Sequence, residues 1–147
     1  VDFWIKTSPS PQSGVVLDKR VRTGNKYKGY HVFLSDGKPG IQLANGVGFN
    51  NYIAPVAVTD GFWHHVAVTV NRTSLNEIRW FLDGNLVNST PAPLSGSLTN
   101  TSPLRFGARS QMPITGFLNG ALGELELFNR ALFPAEVQAI YAAGKCR

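Results

Sequence analysis

The sequence predicts an all-β fold, a sandwich of two antiparallel sheets with one short C-terminal helix, and three observations carry it. Apolar residues alternate at period two. Val66, Val68 and Val70 oppose His65, Ala67 and Thr69, and Ile78, Trp80 and Leu82 repeat the pattern, as do Leu125 and Leu127. That period puts every second side chain on one face, the mark of a half-buried strand. Turn dipeptides recur at short spacing, at Asp36-Gly37, Asn45-Gly46, Asp60-Gly61 and Asp83-Gly84, and such pairs accept the positive φ of tight hairpins. Helical spacing is found in one short segment near the end, where Val137, Ile140 and Tyr141 share a face.

Taken in order, strands are expected near 2–6, 14–21, 29–35, 39–44, 56–58, 63–71, 77–83, 85–89, 104–108 and 117–128. Residues 80–87 read as strand, turn, strand. Gly120 and Gly123 interrupt the last strand and mark a bulge or bend. Residues 88–103 are rich in Ser, Thr, Asn and Pro and read as a long loop. The helix is expected over 134–143, with Pro134 in its first turn and Gly144 as its stop. Phe133 is a poor N-cap for that start. Many strands and one terminal helix fit a single domain over 1–147.

Length and composition agree. The chain has 147 residues, 43% hydrophobic and 16% charged, with 16 aromatic residues. That excludes wholesale disorder, which goes with high charge and few aromatics. No apolar run approaches the ~18 residues of a membrane span. The chain opens Val1-Asp2-Phe3-Trp4 in mid-pattern and reads as a piece excised from a longer protein. Its single cysteine, Cys146, excludes an internal disulfide and cysteine-based zinc sites; it either bonds to sequence outside the chain or is a free thiol. The net charge is +5. Five bases, Lys19, Arg20, Arg22, Lys26 and Lys28, fall within one short stretch. They form either an anion-attracting patch or a solvated basic hairpin.

Two segments resemble a known family. The first is Asp60-Gly61-Phe62-Trp63-His64-His65-Val66-Ala67-Val68-Thr69, followed by Trp80-Phe81-Leu82-Asp83-Gly84. The second runs from Phe117-Leu118-Asn119-Gly120 through Glu124-Leu125-Glu126-Leu127-Phe128-Asn129-Arg130-Ala131-Leu132 to Pro134-Ala135-Glu136-Val137. Together with Phe3-Trp4-Ile5-Lys6-Thr7 they resemble the laminin G-like branch of the concanavalin A-like lectin/glucanase superfamily. The resemblance implies a jelly roll of two curved sheets. It also implies a secreted or cell-surface multidomain protein that binds glycans or protein partners, and in some members calcium at one rim. Two departures bear on calcium. Relatives carry Asp where this chain has Gly123, and an earlier strand that brings an Asp-containing turn to the ion is absent here. Calcium needs six to eight oxygens, carboxylates among them. The missing strand also leaves an open sheet edge, which a partner, a second copy or the chain's own tail could cover.

The catalytic candidates are few. Adjacent strand residues point to opposite faces, so His64 and His65 are poor co-ligands for one ion. Glu124 and Glu126 share a face on period two; they are either surface carboxylates or a glycosidase pair, and the stretch lacks a third acid. No Gly-x-Ser-x-Gly elbow, phosphate loop or dinucleotide fingerprint occurs. The sequons at Asn71, Asn88 and Asn100 are short enough to arise by chance.

The loop residues point instead to binding. Sugars present polar edges and C–H faces, so their sites combine aromatic surfaces with amide and guanidinium hydrogen-bonders. Tyr27, Tyr30, Asn50, Asn51, Tyr52 and Arg109 supply both. The same aromatics could also pack under their own loops. The leading expectation is a non-catalytic, lectin-like carbohydrate-binding module, with acidic glycans as ligands if the basic stretch takes part. The alternative is a protein-interaction module pairing through the open edge. A glycan-cleaving enzyme and nucleic-acid binding rank below both.

Overall fold

The computed structural model describes residues 1–73, 77–92 and 94–144. Ten strands form two five-stranded sheets in which every pairing is antiparallel. The first sheet has the order β10 (Gly120–Glu126), β1 (Asp2–Thr7), β6 (Trp63–Asn71), β7 (Glu77–Leu82), β8 (Asn85–Pro91). The second has the order β5 (Phe49–Ile53), β4 (Lys38–Asn45), β3 (Lys26–Ser35), β2 (Gly14–Thr23), β9 (Arg105–Phe106). One helix, α1 (Pro134–Gly144), ends the described chain. Cys146 lies outside the described residues.

The alternation of the sequence sets the core. Phe3 and Ile5 of β1, Val66 and Val68 of β6, and Ile78 and Trp80 of β7 face Leu17 of β2, Val32 and Leu34 of β3, and Ile41 and Leu43 of β4. All are essentially inaccessible to solvent. The Asp36-Gly37 and Asp83-Gly84 turns join β3 to β4 and β7 to β8, and all four residues have positive φ, from 49° to 77°. That geometry suits the right-handed twist of the flanking strands.

The outer faces of the two sheets differ. Val137 and Leu132 pack on Ala67 and Phe81 of the first sheet, with Ile140 beside them. Tyr141 stacks on Trp4 at 5.7 Å. The helix starts without a capping side chain at Phe133; instead Glu136 reaches back and accepts the Phe133 N–H at 2.8 Å, half of a capping box. The helix therefore covers part of the first sheet, and the outer face of the second sheet carries no helix.

Four expectations need correction. Residues 56–58 are not a strand; Pro55 offers no N–H, and the segment instead folds Ala54 and Val58 into the core. The strand at that edge is β5, over residues read from sequence as a loop. The loop after residue 88 starts later, because β8 continues to Pro91. The last strand is shorter than expected. Its bulge is at the anticipated glycine: Asp2 pairs Glu126 while Trp4 pairs Gly123, so the extra residue lies on β10, where Glu124 takes φ 43°.

Candidate functional site

Strand register builds a polar row across the uncovered face of the second sheet. Asp18 pairs His31, His31 pairs Gln42, and Gln42 pairs Asn51. The four residues thus lie side by side on β2, β3, β4 and β5. Arg20 reaches into the row. Its Nε donates to Asp18 Oδ1 at 2.8 Å, its Nη2 to Asp18 Oδ2 at 3.0 Å, and its Nη1 to Gln42 Oε1. Gln42 Nε2 passes the chain on to Asn51 Oδ1 at 2.8 Å. The loop after β9 clamps the row from one side. Ser110 N–H donates to Asp18 Oδ2, and Gln111 Nε2 donates to the Arg20 carbonyl at 2.9 Å.

This network governs the charges. Burial alone would raise Asp18, but the Arg20 guanidinium and the Ser110 N–H outweigh it and hold the carboxyl below its usual value. Burial pushes His31 down to about 3, helped by Arg20 and Arg109 and opposed by Asp18. His31 is therefore a neutral imidazole at ordinary pH. Its ring stacks on Phe33 at 4.6 Å. Phe33 lies over Gly40, where a Cβ would come within 2.6 Å of the ring. His31 is buried, and its Nδ1 has no hydrogen-bond partner.

Arg20, His31, Phe33, Gln42 and Asn51 line an open cavity of about 380 Å³ together with Tyr27 and Arg109. Tyr27 has two guanidinium groups near its ring, Arg20 at 4.8 Å and Arg22 at 5.9 Å from the centroid, within cation–π range. A second cavity of about 330 Å³ shares Arg20 and adds Arg22, Gln111 and Met112. A cavity of about 420 Å³ lies elsewhere, along β6, β7 and residues 129–133. Its arginines are engaged: Arg79 with Glu77, Arg72 with the Leu94 and Gly96 carbonyls, and Arg130 with Glu136.

The structure sorts the sequence candidates by face. Tyr27, Asn51 and Arg109 meet at the cavity. Tyr30 and Tyr52 turn to the other side of the same sheet and pack in the core, and Asn50 Nδ2 donates to the Tyr52 hydroxyl at 3.2 Å. The basic stretch is split as well. Lys19 Nζ is tied to the Asn100 and Ser102 carbonyls, and Arg20 is buried. Arg22 and Lys26 are exposed, and Lys28 is half-buried. Asp18, His31, Phe33 and Gln42 were not foreseen from sequence. Asn100 is tied inward, donating to the Lys19 and Lys28 carbonyls.

The other candidates separate too. His64 points to the rim, where Asp83 and Asp60 each approach one ring nitrogen at 2.9 Å. His65 points to the helix side, against Trp4 and Tyr141. Glu124 and Glu126 line a cavity near the end of α1. Among the described residues, no three His, Cys, Asp or Glu side chains gather closely enough to hold a metal ion. The described residues therefore offer no carboxylate cluster for the calcium that the resemblance implies.

The family model described as the concanavalin A-like lectin/glucanases superfamily matches residues 1–138. No curated protein sequence matches the chain. Among solved structures, the binding domain of Paraclostridial Mosquitocidal Protein 1 superposes with a TM-score of 0.73 at 18% identity, covering 97% of this chain and 36% of that one. The botulinum neurotoxin serotype D binding domain gives 0.70 at 15%, covering 99% and 36%. The heptameric SAP-like pentraxin from Limulus polyphemus gives 0.70 at 15%, covering 97% and 69%. At these identities the likeness is one of fold. The chain spans little more than a third of each toxin domain.

Proposed function

This chain belongs to the concanavalin A-like lectin/glucanases superfamily, and we propose that it works as a non-catalytic carbohydrate-binding module whose ligand lies on the outer face of the second sheet. The observation that carries the reading is His31, a buried, neutral imidazole with an unpaired Nδ1 in the floor of an open cavity. Unpaired buried polar atoms cost about 1–3 kcal/mol each, and a ligand hydroxyl would remove that cost. Phe33 and Tyr27 offer flat surfaces for sugar C–H faces. Gln42 and Asn51 bring planar amides, already oriented by Arg20. The Arg20 guanidinium is taken up by Asp18 and Gln42, so it positions rather than binds. Arg109 and Arg22 are exposed and would meet a carboxylate or sulfate, which makes an acidic glycan the preferred class. Solved relatives in fold include toxin domains described as binding domains, which is compatible with a recognition role. The reading carries with it the secreted or cell-surface location implied by the sequence resemblance.

The test is calorimetric titration with uronate-containing, sulfated and neutral oligosaccharides. Acidic ligands should bind, should weaken as salt screens the exposed arginines, and should bind much less to Arg109→Ala. Equal binding of neutral sugars at all salt concentrations would remove the acidic preference. Binding of no glycan at all would leave the protein-interaction reading in its place.

A further inference from the structure

The first sheet carries a separate cavity, of about 250 Å³, beside the end of α1. Its floor is Asp2, Trp4 and His65, its rim includes Glu124 and Glu126, and Ile140, Ala143 and Gly144 close the helix side. Asp2 is 1% exposed, and its Oδ2 has no hydrogen-bond partner. His65 is wholly buried, and neither ring nitrogen has a partner. Three unpaired polar atoms in one cavity floor are a large uncompensated cost. Strand register brings Asp2 opposite Glu126. Burial, with repulsion from Glu126, pushes Asp2 up to about 6 against the opposing pull of the Val1 ammonium. Burial also holds His65 below its usual value, with Asp83 opposing, so it adds no positive charge. The cavity lies beside the last described turn of α1, toward the negative end of the helix dipole.

The complement of such a cavity is a cation, and its walls say which kind. The described carboxylates do not converge on one point as metal ligands do. Trp4 and Ile140 are apolar walls that a hydrated metal ion would not use, whereas a ring beside an organic cation attracts it. We propose that this cavity receives the ammonium group of a lysine side chain from a protein partner, with Asp2 and Glu126 accepting its hydrogen bonds and Trp4 and Ile140 packing along its methylene stem. The site stands on the other sheet from the polar row, so it and the glycan reading succeed or fail separately.

The test uses Nα-acetyl-lysine amide, titrated into isotope-labelled protein at constant ionic strength. The expected result is saturable movement of the Trp4 indole and His65 ring signals, weakened roughly tenfold or more by Glu126→Gln, as expected for losing a charged hydrogen bond. Glu126 is exposed, so that variant keeps the fold, and its melting temperature checks this. Asp2→Asn should weaken binding further. The ligand acetylated also at Nε should leave both signals still. Signals that do not move, that move equally with the doubly acetylated ligand, or that are unaffected by Glu126→Gln would overturn the proposal. So would tighter binding of glucosamine or calcium chloride.

Discussion

Arg20 grips Asp18 through two hydrogen bonds, Nε to Oδ1 at 2.8 Å and Nη2 to Oδ2 at 3.0 Å, and neither side chain exposes more than 5%. A buried pair of this kind on an otherwise open sheet face sets the floor of the site rather than its surface. Breaking it should leave an uncompensated charge. Asp18→Ala is expected to cost about 3–5 kcal/mol, and Asp18→Leu with Arg20→Met much less, since apolar replacement of both partners is often nearly neutral. Denaturant unfolding of the single and double variants measures the difference.

Acid should weaken the same face. The unfolded His31 takes a proton near 6.5 and the folded one near 3. Between those values the unfolded chain binds more protons, so this residue makes stability rise with pH across that window. Asp18, lowered by Arg20 against its burial, adds a contribution present above 3.8 and lost as pH falls through its folded value. In unfolding curves taken from pH 3 to pH 7, His31→Gln should flatten the rise above pH 4. An unchanged slope would contradict the assignment.

His64 should act with the opposite sign. Burial opposes its charge, but the hydrogen bonds that Asp83 and Asp60 accept from the imidazolium outweigh this and raise it above 6.5. Its stabilising contribution is therefore complete below pH 6.5 and is lost as pH rises through the folded value. Asp60, held below its usual value by the Phe62 N–H and His64, stays ionised across that range. Stability measured from pH 6 to pH 9 should fall for the parent and stay flatter for His64→Gln.

Gly40 makes room for Phe33, and a Cβ there would come within 2.6 Å of the ring. Gly40→Ala should tilt Phe33 off His31 and weaken glycan binding, while the fold survives because the ring is only half-buried. Comparing affinity with melting temperature separates the two effects.

The fold was legible because alternation and turn dipeptides are local signals. Val66, Val68 and Trp80 announce their face, and Asp83-Gly84 its turn. The site was legible only in part. Tyr27 and Tyr30 differ by three positions, so on one strand they face opposite ways, and only Tyr27 reaches the cavity. The same parity separates Asn51 from Asn50 and Tyr52 once residues 49–53 are a strand rather than a loop. Period two on β3 already groups Tyr27, His31 and Phe33, the signal that could have found His31. The row from Asp18 to Asn51 had no such signal, because it depends on the register of four strands, which long-range pairing sets.

The most direct measurement is a map of where a glycan touches the protein. An acidic oligosaccharide is titrated into isotope-labelled protein while amide and side-chain resonances are followed. Saturable shifts are expected only on the outer face of the second sheet, centred on His31, Gln42, Asn51 and Arg109, with the Trp4 and His65 signals unmoved. Shifts that gather elsewhere, or binding that persists unchanged in Asn51→Ala/Arg109→Ala, would contradict the glycan reading.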